Sequence, residues 1–178
     1  MSNLLFQKFN SEADFEHFLQ HSIDVYANEM LGDQEFKNYA SAYAASEREI
    51  MKGHSHYQFR DNEYIYNIIY NRRRVGYISY TFSFFSYEGK KILRAFLVYL
   101  YTHPEWRRKH IARDAILKYE KYAVKISPMV LYELSVSQRN LGAIGLYKGL
   151  GYKITRPHNG FGDKFSRFFM AKVSHRQR

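Results

Sequence analysis

Three consecutive cations, Arg107, Arg108 and Lys109, stand immediately before a segment with the residue pattern of a helix. The positive end of the helix dipole disfavours cations there, so their placement favours a nearby anion. The first amide groups of a helix have no intrahelical partners and suit phosphate oxygens, and adjacent cations add charge-assisted hydrogen bonds. The arrangement predicts a phosphate-binding site, with a solvated charge cluster as the alternative.

The loop at residues 107–112, RRKHIA, is not a nucleotide P-loop, since the chain contains neither G-x-x-x-x-G-K-[ST] nor G-x-G-x-x-G. It resembles the pyrophosphate-binding motif [QR]-x-x-G-x-[GA] of the GNAT superfamily of acyl-CoA N-acyltransferases, which it matches at the first and last positions. His110 stands where the family usually has glycine, a residue that permits backbone geometry most others resist. Histidine enters the left-handed region more readily than most residues, so the substitution is compatible with the motif.

Residues 134–152, LSVSQRNLGAIGLYKGLGY, resemble the distal motif of the same family, L-x-V-x-x-x-N-x-x-A-x-x-L-Y-x-x-L-G-[FY]. The matching residues are Leu134, Val136, Asn140, Ala143, Leu146, Tyr147, Leu150, Gly151 and Tyr152. A predicted helix and strand separate the two motifs, as the family requires. The chain is therefore identified as a member of the superfamily, with the layout of its bacterial acetyltransferases.

This resemblance implies direct transfer of acetyl from acetyl-CoA, as co-substrate, to an amine. The strand before the loop would pair its backbone with the pantetheine arm, the loop amides would hold the pyrophosphate, and an asparagine would face the pantetheine. The implied cofactor-binding residues are Leu100, Tyr101, Thr102, Arg107, Arg108, Lys109, His110, Ile111, Ala112 and Asn140.

Tyr147 is the catalytic residue that the resemblance implies, as general acid to the departing CoA thiolate. A phenol with an ordinary pKa near ~10 stays protonated at neutral pH yet can donate in the transition state. Outside the motif, a core tyrosine would be the simpler interpretation. The general base is left open: many members carry a glutamate roughly where Tyr101 stands, and Glu133 or an ordered water are the alternatives.

The elements that must position these residues follow from the hydrophobic pattern. Two amphipathic helices come first, with Ser11 and Asp14 as an N-terminal cap, and they resemble the pair that forms one wall of the acceptor site in many bacterial members. Strands are predicted at residues 64–70, 75–85, 92–102, 130–136, 152–157 and 164–173, and further helices at 111–126 and 141–150. The predicted fold is α/β, with a GNAT-like central mixed, mostly antiparallel sheet of about six to seven strands and helices on both faces.

The second motif places Asn140 as N-cap and Gly151 just past the end of its helix. Gly142, Gly145 and Gly149 lie inside that helix, where each costs about 0.5–1 kcal/mol relative to alanine. Close packing on the sheet and close passage of a cofactor are the two explanations that the sequence leaves open.

Composition sets the remaining bounds. The 178 residues carry a net charge of +10 but are unevenly charged: residues 1–63 hold 5 Lys or Arg against 11 Asp or Glu, whereas residues 64–178 hold 22 against 6. The chain has no cysteine, which excludes disulfides and thiolate chemistry. Neither a signal peptide nor a membrane helix is predicted, so the expected location is cytoplasmic.

Histidines give no convincing metal site. His17 and His21 share a helical face but lack a third ligand, and His54 and His56 fall in a polar loop, so no metal is predicted.

One domain is predicted over residues 1–178, in which residues 1–63 form two helices and a loop and residues 174–178 form a disordered tail. The expected partner is a small-molecule or peptide amine, with a cationic acceptor favoured by the acidic first third, and a homodimer is left open. No membrane is expected, and nucleic acid is disfavoured. The alternatives are a basic RNA- or ribosome-associated protein on the same fold, using Arg72–Arg74, or a CoA-binding member with little catalysis.

Overall fold

The computed structural model describes residues 4–9, 11–32, 36–53, 62–159 and 166–175. The chain divides into two compact units, one formed by residues up to Lys8 together with those from Asn62 onward, the other by Phe9–Asp61. The predicted single domain stays a prediction. The elements are β1 (Leu4–Lys8), α1 (Glu12–Gly32), α2 (Tyr39–Gly53), β2 (Glu63–Tyr70), β3 (Arg73–Tyr87), β4 (Lys90–Thr102), α3 (Ile111–Ile126), β5 (Met129–Ser137), α4 (Leu141–Gly149), β6 (Lys153–Asn159) and β7 (Ser166–His175).

The unit formed by Phe9–Asp61 is a pair of helices. The Ser11 hydroxyl oxygen accepts a hydrogen bond from the Asp14 backbone N–H at 3.2 Å, which confirms the predicted cap. The Ser46 hydroxyl donates to the Ile23 carbonyl oxygen at 2.8 Å and ties α2 to α1. The sequence predicts that the apolar face of the second helix consists of Phe36, Ala40, Tyr43, Ala44, Ile50 and Met51. That prediction is partly wrong, because Ala40, Ala44 and Met51 are exposed while Ala42 is buried. A helix rich in alanine and serine carries too little contrast in hydrophobicity to fix its rotation.

The other unit is built on a seven-stranded sheet in the order β1-β2-β3-β4-β5-β7-β6. β4 and β5 run parallel and all other neighbouring strands run antiparallel, which confirms the predicted mixed, mostly antiparallel sheet. β1 was not predicted. A segment of five residues is too short to be recognised as a strand from its pattern, and it depends on pairing with β2 about sixty residues later.

The core lies between this sheet and α3. Ile111, Ala115, Ile116, Tyr119 and Ala123 form the buried stripe of α3. The sequence predicts Tyr122 and Ile126 as part of this stripe, but both are exposed. The Tyr119 ring lies 4.7 Å from the Tyr80 ring of β3, so large aromatic side chains fix the helix against the sheet.

The end of the chain is more regular than predicted. β7 continues through Ser174 and His175, where the sequence predicted the start of a frayed tail, and residues 176–178 lie outside the described residues. The sequence predicts a glycine-rich turn at residues 158–163 between the last two strands. Its first residues, His158 and Asn159, belong to β6, and residues 160–163 lie outside the described residues.

Candidate active site

The site is built around an opening between β4 and β5. These parallel strands pair from Leu93 with Val130 to Leu97 with Leu134. Beyond Leu97, β4 is paired in the described part of the chain only with β3, and the later residues of β5 pair with β7. Main-chain groups on that edge of β4 can therefore pair with an extended ligand, as strand addition requires. Leu100, Tyr101 and Thr102 lie on this edge, where the sequence placed them.

A bulge in β4 marks the place where the opening starts. Ser79 of β3 pairs with Tyr99, whereas the next residue, Tyr80, pairs with Leu97, so Val98 is an extra residue in the strand. A bulge of this kind bends its strand and increases the local twist. The bend separates the end of β4 from β5.

The loop after β4 is fixed to the end of the sheet. The His103 backbone N–H donates to the Val75 carbonyl oxygen at 2.9 Å, and the Arg107 side-chain Nε donates to the Thr102 carbonyl oxygen at 3.2 Å. The Lys109 ammonium lies 4.6 Å from the centre of the Trp106 ring. Arg107, Arg108 and Lys109 are all exposed, so their charges are available to an anion.

His110 adopts the left-handed backbone conformation, with φ 59° and ψ 8°, directly before the first turn of α3. No side chain in the described residues caps this helix, and the first backbone hydrogen bond runs from Asp114 N–H to the His110 carbonyl oxygen. The amides of Ile111 and Ala112 therefore keep the orphan character of a helix start. The conformation expected of a glycine is retained by the histidine, at a cost of about 1–2 kcal/mol.

The second motif reaches the same end of the sheet. Because β4 and β5 are parallel, the segments that follow them emerge at one edge. The Asn140 side-chain oxygen accepts from the Ala143 backbone N–H at 3.1 Å, which confirms it as the N-cap of α4. Asn140 remains exposed beside the opening.

The glycines of α4 do not serve close packing. A Cβ atom built on Gly145 or Gly149 meets nothing within 4 Å, and one on Gly142 meets only the Asn140 side-chain oxygen at 4.0 Å. All three residues are exposed. The first of the two explanations is therefore wrong, and the remaining one, close passage of a ligand, fits an open strip of backbone.

Tyr147 lies on the inner side of α4 with 8% of its surface exposed. It belongs to the same hydrophobic core as Ile111 at the start of α3. Its ring lies 5.9 Å from the Tyr152 ring at an interplanar angle of 60°. The structure thus places Tyr147 as a largely buried side chain with a fixed aromatic neighbour.

Tyr101, which stands where many family members carry a glutamate, and Glu133, the alternative carboxylate, both have other contacts. The Tyr101 ring lies 5.7 Å from the Arg107 guanidinium and 5.3 Å from the His103 ring. The Glu133 carboxylate forms an ion pair with Arg94 of β4, which stands opposite Leu131, two residues before Glu133. The Arg94 guanidinium already occupies that carboxylate and leaves Glu133 less available as a proton acceptor.

Glu63 is a residue that the sequence analysis missed. The Ser79 hydroxyl donates a hydrogen bond to its Oε1 atom, and its Oε2 atom is buried without a hydrogen-bond partner in the described residues. Ser79 stands opposite Tyr99, next to the bulge. The alternation of β2 puts Glu63, Ile65 and Asn67 on one face, but the predicted strand started one residue too late to include Glu63.

Tyr152, whose ring contacts Tyr147, lies beside a group of buried polar side chains. The Lys172 ammonium lies 2.7 Å from the Glu120 carboxylate, and the Tyr132 hydroxyl donates to the Glu120 carbonyl oxygen at 3.0 Å. Burial, with the Glu120 carboxylate adding to it, raises the pKa values of Tyr132 and Tyr152 above the usual range. Both hydroxyls therefore stay neutral through the physiological range.

The described residues show neither a metal-binding cluster nor a membrane-spanning helix. In the described ranges, no group of three or more His, Asp or Glu side chains could hold a metal ion. His17 and His21 lie in α1, whereas His54 and His56 lie outside the described residues. None of the described helices has the length and apolar character required to cross a bilayer.

A known protein family matches most of the chain. The family model described as "Acetyltransferase (GNAT) family" matches residues 26–152. No sequence match was found among curated proteins.

Several solved structures share the fold. NAA60 of Arabidopsis thaliana, in complex with a bisubstrate analogue, is 14% identical and superposes with a TM-score of 0.67, covering 96% of this chain and 99% of that one. The PaiA N-acetyltransferase of Thermoplasma acidophilum, in complex with coenzyme A, is 19% identical with a TM-score of 0.59, covering 96% and 98%. Spermidine N-acetyltransferase of Vibrio cholerae, in complex with CoA and spermine, is 17% identical with a TM-score of 0.61, covering 96% and 95%.

Proposed function

Because the chain belongs to the acetyltransferase (GNAT) family, we propose that it transfers acetyl directly from acetyl-CoA to a cationic amine, with Tyr147 as the general acid. The protein is an acyl-CoA-dependent N-acetyltransferase, and acetyl-CoA is its co-substrate. The observation that carries the proposal is the left-handed His110 at an uncapped helix start, beside the open edge of β4.

The residues of this chain fit acetyl-CoA along its length. Leu100, Tyr101 and Thr102 offer main-chain groups to the amides of pantetheine. Arg107, Arg108 and Lys109, with the amides of the residues from His110 to Ala112, suit the pyrophosphate. Asn140 and α4 follow β5, on the other side of the opening. The glycines of α4 have no side chains, so the space beside the helix backbone stays open to the ligand.

The chemistry needs one proton acceptor and one proton donor. The amine nitrogen attacks the thioester carbonyl carbon, the C–N bond forms, and the C–S bond breaks. We assign Tyr147 to give its phenolic proton to the CoA sulfur as that bond breaks. We assign Glu63 to take the proton that the amine nitrogen loses, directly or through one water.

Glu63 supports this assignment better than Glu133 does. Its Oε1 atom is held by Ser79, while its Oε2 atom is buried and has no partner in the described residues. A buried carboxylate oxygen without a partner is costly, and an incoming ammonium or water would remove that cost. Arg94 already compensates the charge of Glu133.

The acceptor class follows from charge. Residues 1–63 hold 11 acidic against 5 basic residues, a balance that favours cationic over anionic ligands. Polyamines and basic peptide amino groups are the acceptors of this kind, and a spermidine N-acetyltransferase is among the proteins that share the fold. We favour a cationic small-molecule or peptide amine on these grounds.

The proposal is tested by an acetyl-transfer screen. Purified protein and acetyl-CoA are mixed with polyamines, aminoglycosides, basic peptides and neutral amines, and both free CoA thiol and acetylated product are measured. We expect transfer to the cationic acceptors, at a rate that falls as salt is added. The absence of product with every acceptor, together with no rise in Tm on adding acetyl-CoA, would overturn the proposal.

A further inference from the structure

Two hairpins of the sheet have the same turn but differ at one position. Asn71 and Arg72 join β2 to β3 with φ values of 49° and 64°, and Glu88 and Gly89 join β3 to β4 with φ values of 48° and 73°. Two-residue turns with positive φ at both positions are of type I′, and they favour glycine at the second position. Gly89 meets that preference and Arg72 does not. An arginine kept in a disfavoured conformation points to a role for its side chain.

The turn with Arg72 is fixed beside the loop at residues 103–110. The His103 N–H donates to the Val75 carbonyl oxygen at 2.9 Å, and Gly76 stands opposite Thr102. A Cβ atom on Gly76 would lie 2.0 Å from the Tyr101 carbonyl oxygen, so the start of β3 is pressed against the end of β4. The turn and the loop therefore form one end of the sheet.

Arg73 lies on the side of the sheet that α3 covers. It pairs with Tyr70, and Tyr70 pairs with Leu4 of the core, so all three share a face. The Tyr70 ring lies 5.9 Å from the Trp106 ring, over which the Lys109 ammonium stands at 4.6 Å. Arg73 and Lys109 thus lie on the same side of the sheet, at the end where α3 begins.

Arg74 is different. Its guanidinium lies 5.8 Å from the Tyr77 ring, and the alternation of β3 turns it to the opposite face. Among the described residues, no carboxylate forms an ion pair with Arg72, Arg73 or Lys109, and Arg72 and Arg73 are exposed. Arg72 and Arg73 therefore offer a second anion-binding place next to Lys109 and the pyrophosphate loop.

We propose that Arg72 and Arg73 bind the 3′-phosphate of acetyl-CoA, beside Lys109 of the pyrophosphate loop. This inference rests on the proposed function, because it uses the pyrophosphate position at the start of α3. The 3′-phosphate and the pyrophosphate are attached to the same ribose, so the second phosphate must lie close to the loop that holds the first. Guanidinium groups suit a phosphate dianion through charge-assisted, bidentate hydrogen bonds.

The test compares CoA with dephospho-CoA, which lacks only this phosphate. Dissociation constants are measured by calorimetry for the wild type, for the double variant Arg72→Gly with Arg73→Gln, and for the control Arg74→Gln. For the wild type and the control, we expect CoA to bind about tenfold or more tightly than dephospho-CoA, a typical effect for hydrogen bonds to a charged group. The double variant should bind both ligands with the weaker constant.

The double variant should fold at least as well as the wild type, because Arg72→Gly supplies the residue that the turn prefers, and its Tm is expected to rise. Unchanged discrimination between the two ligands in the double variant would overturn the inference while leaving the acetyltransferase proposal intact. If the double variant keeps its preference for CoA and instead loses affinity for RNA, the turn is a nucleic-acid contact and the inference is wrong. Failure of the wild type to bind either ligand would overturn the inference, whereas the proposed function is judged separately by the acetyl-transfer screen.

Discussion

The backbone N–H of Tyr152 donates to the carbonyl oxygen of Tyr147 at 3.0 Å, and the rings of the two residues meet edge to face at 5.9 Å. A second hydrogen bond, from Gly151 N–H to the Lys148 carbonyl oxygen at 3.0 Å, completes the Schellman end of α4. Gly151 has φ 90°, as that end requires. The same local structure that stops the helix therefore fixes the position of Tyr147.

Replacement of Tyr147 by phenylalanine tests its role as general acid. We expect kcat to fall by about 10²–10⁴-fold, the usual contribution of general acid catalysis, with the Kd for acetyl-CoA unchanged. Tyr152→Phe is the matched control, since it keeps the ring contact and loses only a hydroxyl outside the reaction. Turnover in Tyr147→Phe equal to that of the control would show that Tyr147 is a structural core residue.

Replacement of Glu63 by glutamine tests the proton acceptor. The amide keeps the size of the side chain and can still accept from Ser79, so the fold should be retained. We expect kcat/KM to fall by about 10²-fold or more. Glu88→Gln, in the exposed turn between β3 and β4, is the control. A loss confined to Glu133→Gln would move the assignment to the alternative carboxylate.

How much of this site the sequence could predict depends on how local each interaction is. The cap at Asn140 and the left-handed end at Gly151 were predicted, because both depend on residues within one turn of the helix. The phosphate-binding loop was predicted from its strand–loop–helix order, and it stays a prediction. His110, which departs from the motif, adopts the left-handed backbone conformation that a glycine would supply.

The missed features depend on distant pairing. Glu63 and Ser79 are 16 residues apart and meet only through the β2–β3 register. β1 is recognisable as a strand only through its pairing with β2. The left-handed conformation of Arg72 follows from the same register. An Asn-Gly pair would have specified the turn type, but the residue after Asn71 is an arginine, so the sequence alone does not specify it.

Replacement of Gly145 by alanine tests whether the open strip of α4 serves the co-substrate. The new methyl group meets nothing within 4 Å, so the free energy of unfolding should rise by about 0.5–1 kcal/mol through improved helix propensity. Affinity for acetyl-CoA should fall at the same time, because the methyl group enters the space assigned to the ligand. A gain in stability with unchanged affinity would contradict the placement of acetyl-CoA along this helix.

The buried tyrosines make the stability of the fold sensitive to alkaline pH. Burial raises the pKa values of Tyr80, Tyr119, Tyr132 and Tyr152 in the folded chain, whereas in the unfolded chain they return to about 10. Below that pH both states hold the same protons. Above it the unfolded state loses protons that the folded state keeps, so the free energy of unfolding falls as pH rises.

We expect a slope that approaches ~1.4 kcal/mol per pH unit for each buried tyrosine once the pH exceeds about 10. Urea denaturation at a series of pH values from 8 upward measures this slope. In Tyr80→Phe, the slope should be smaller by the contribution of one buried tyrosine. Tyr87→Phe, which removes the hydroxyl of an exposed tyrosine, is the matched control. A free energy of unfolding that stays level above pH 10 would contradict the burial of these hydroxyls.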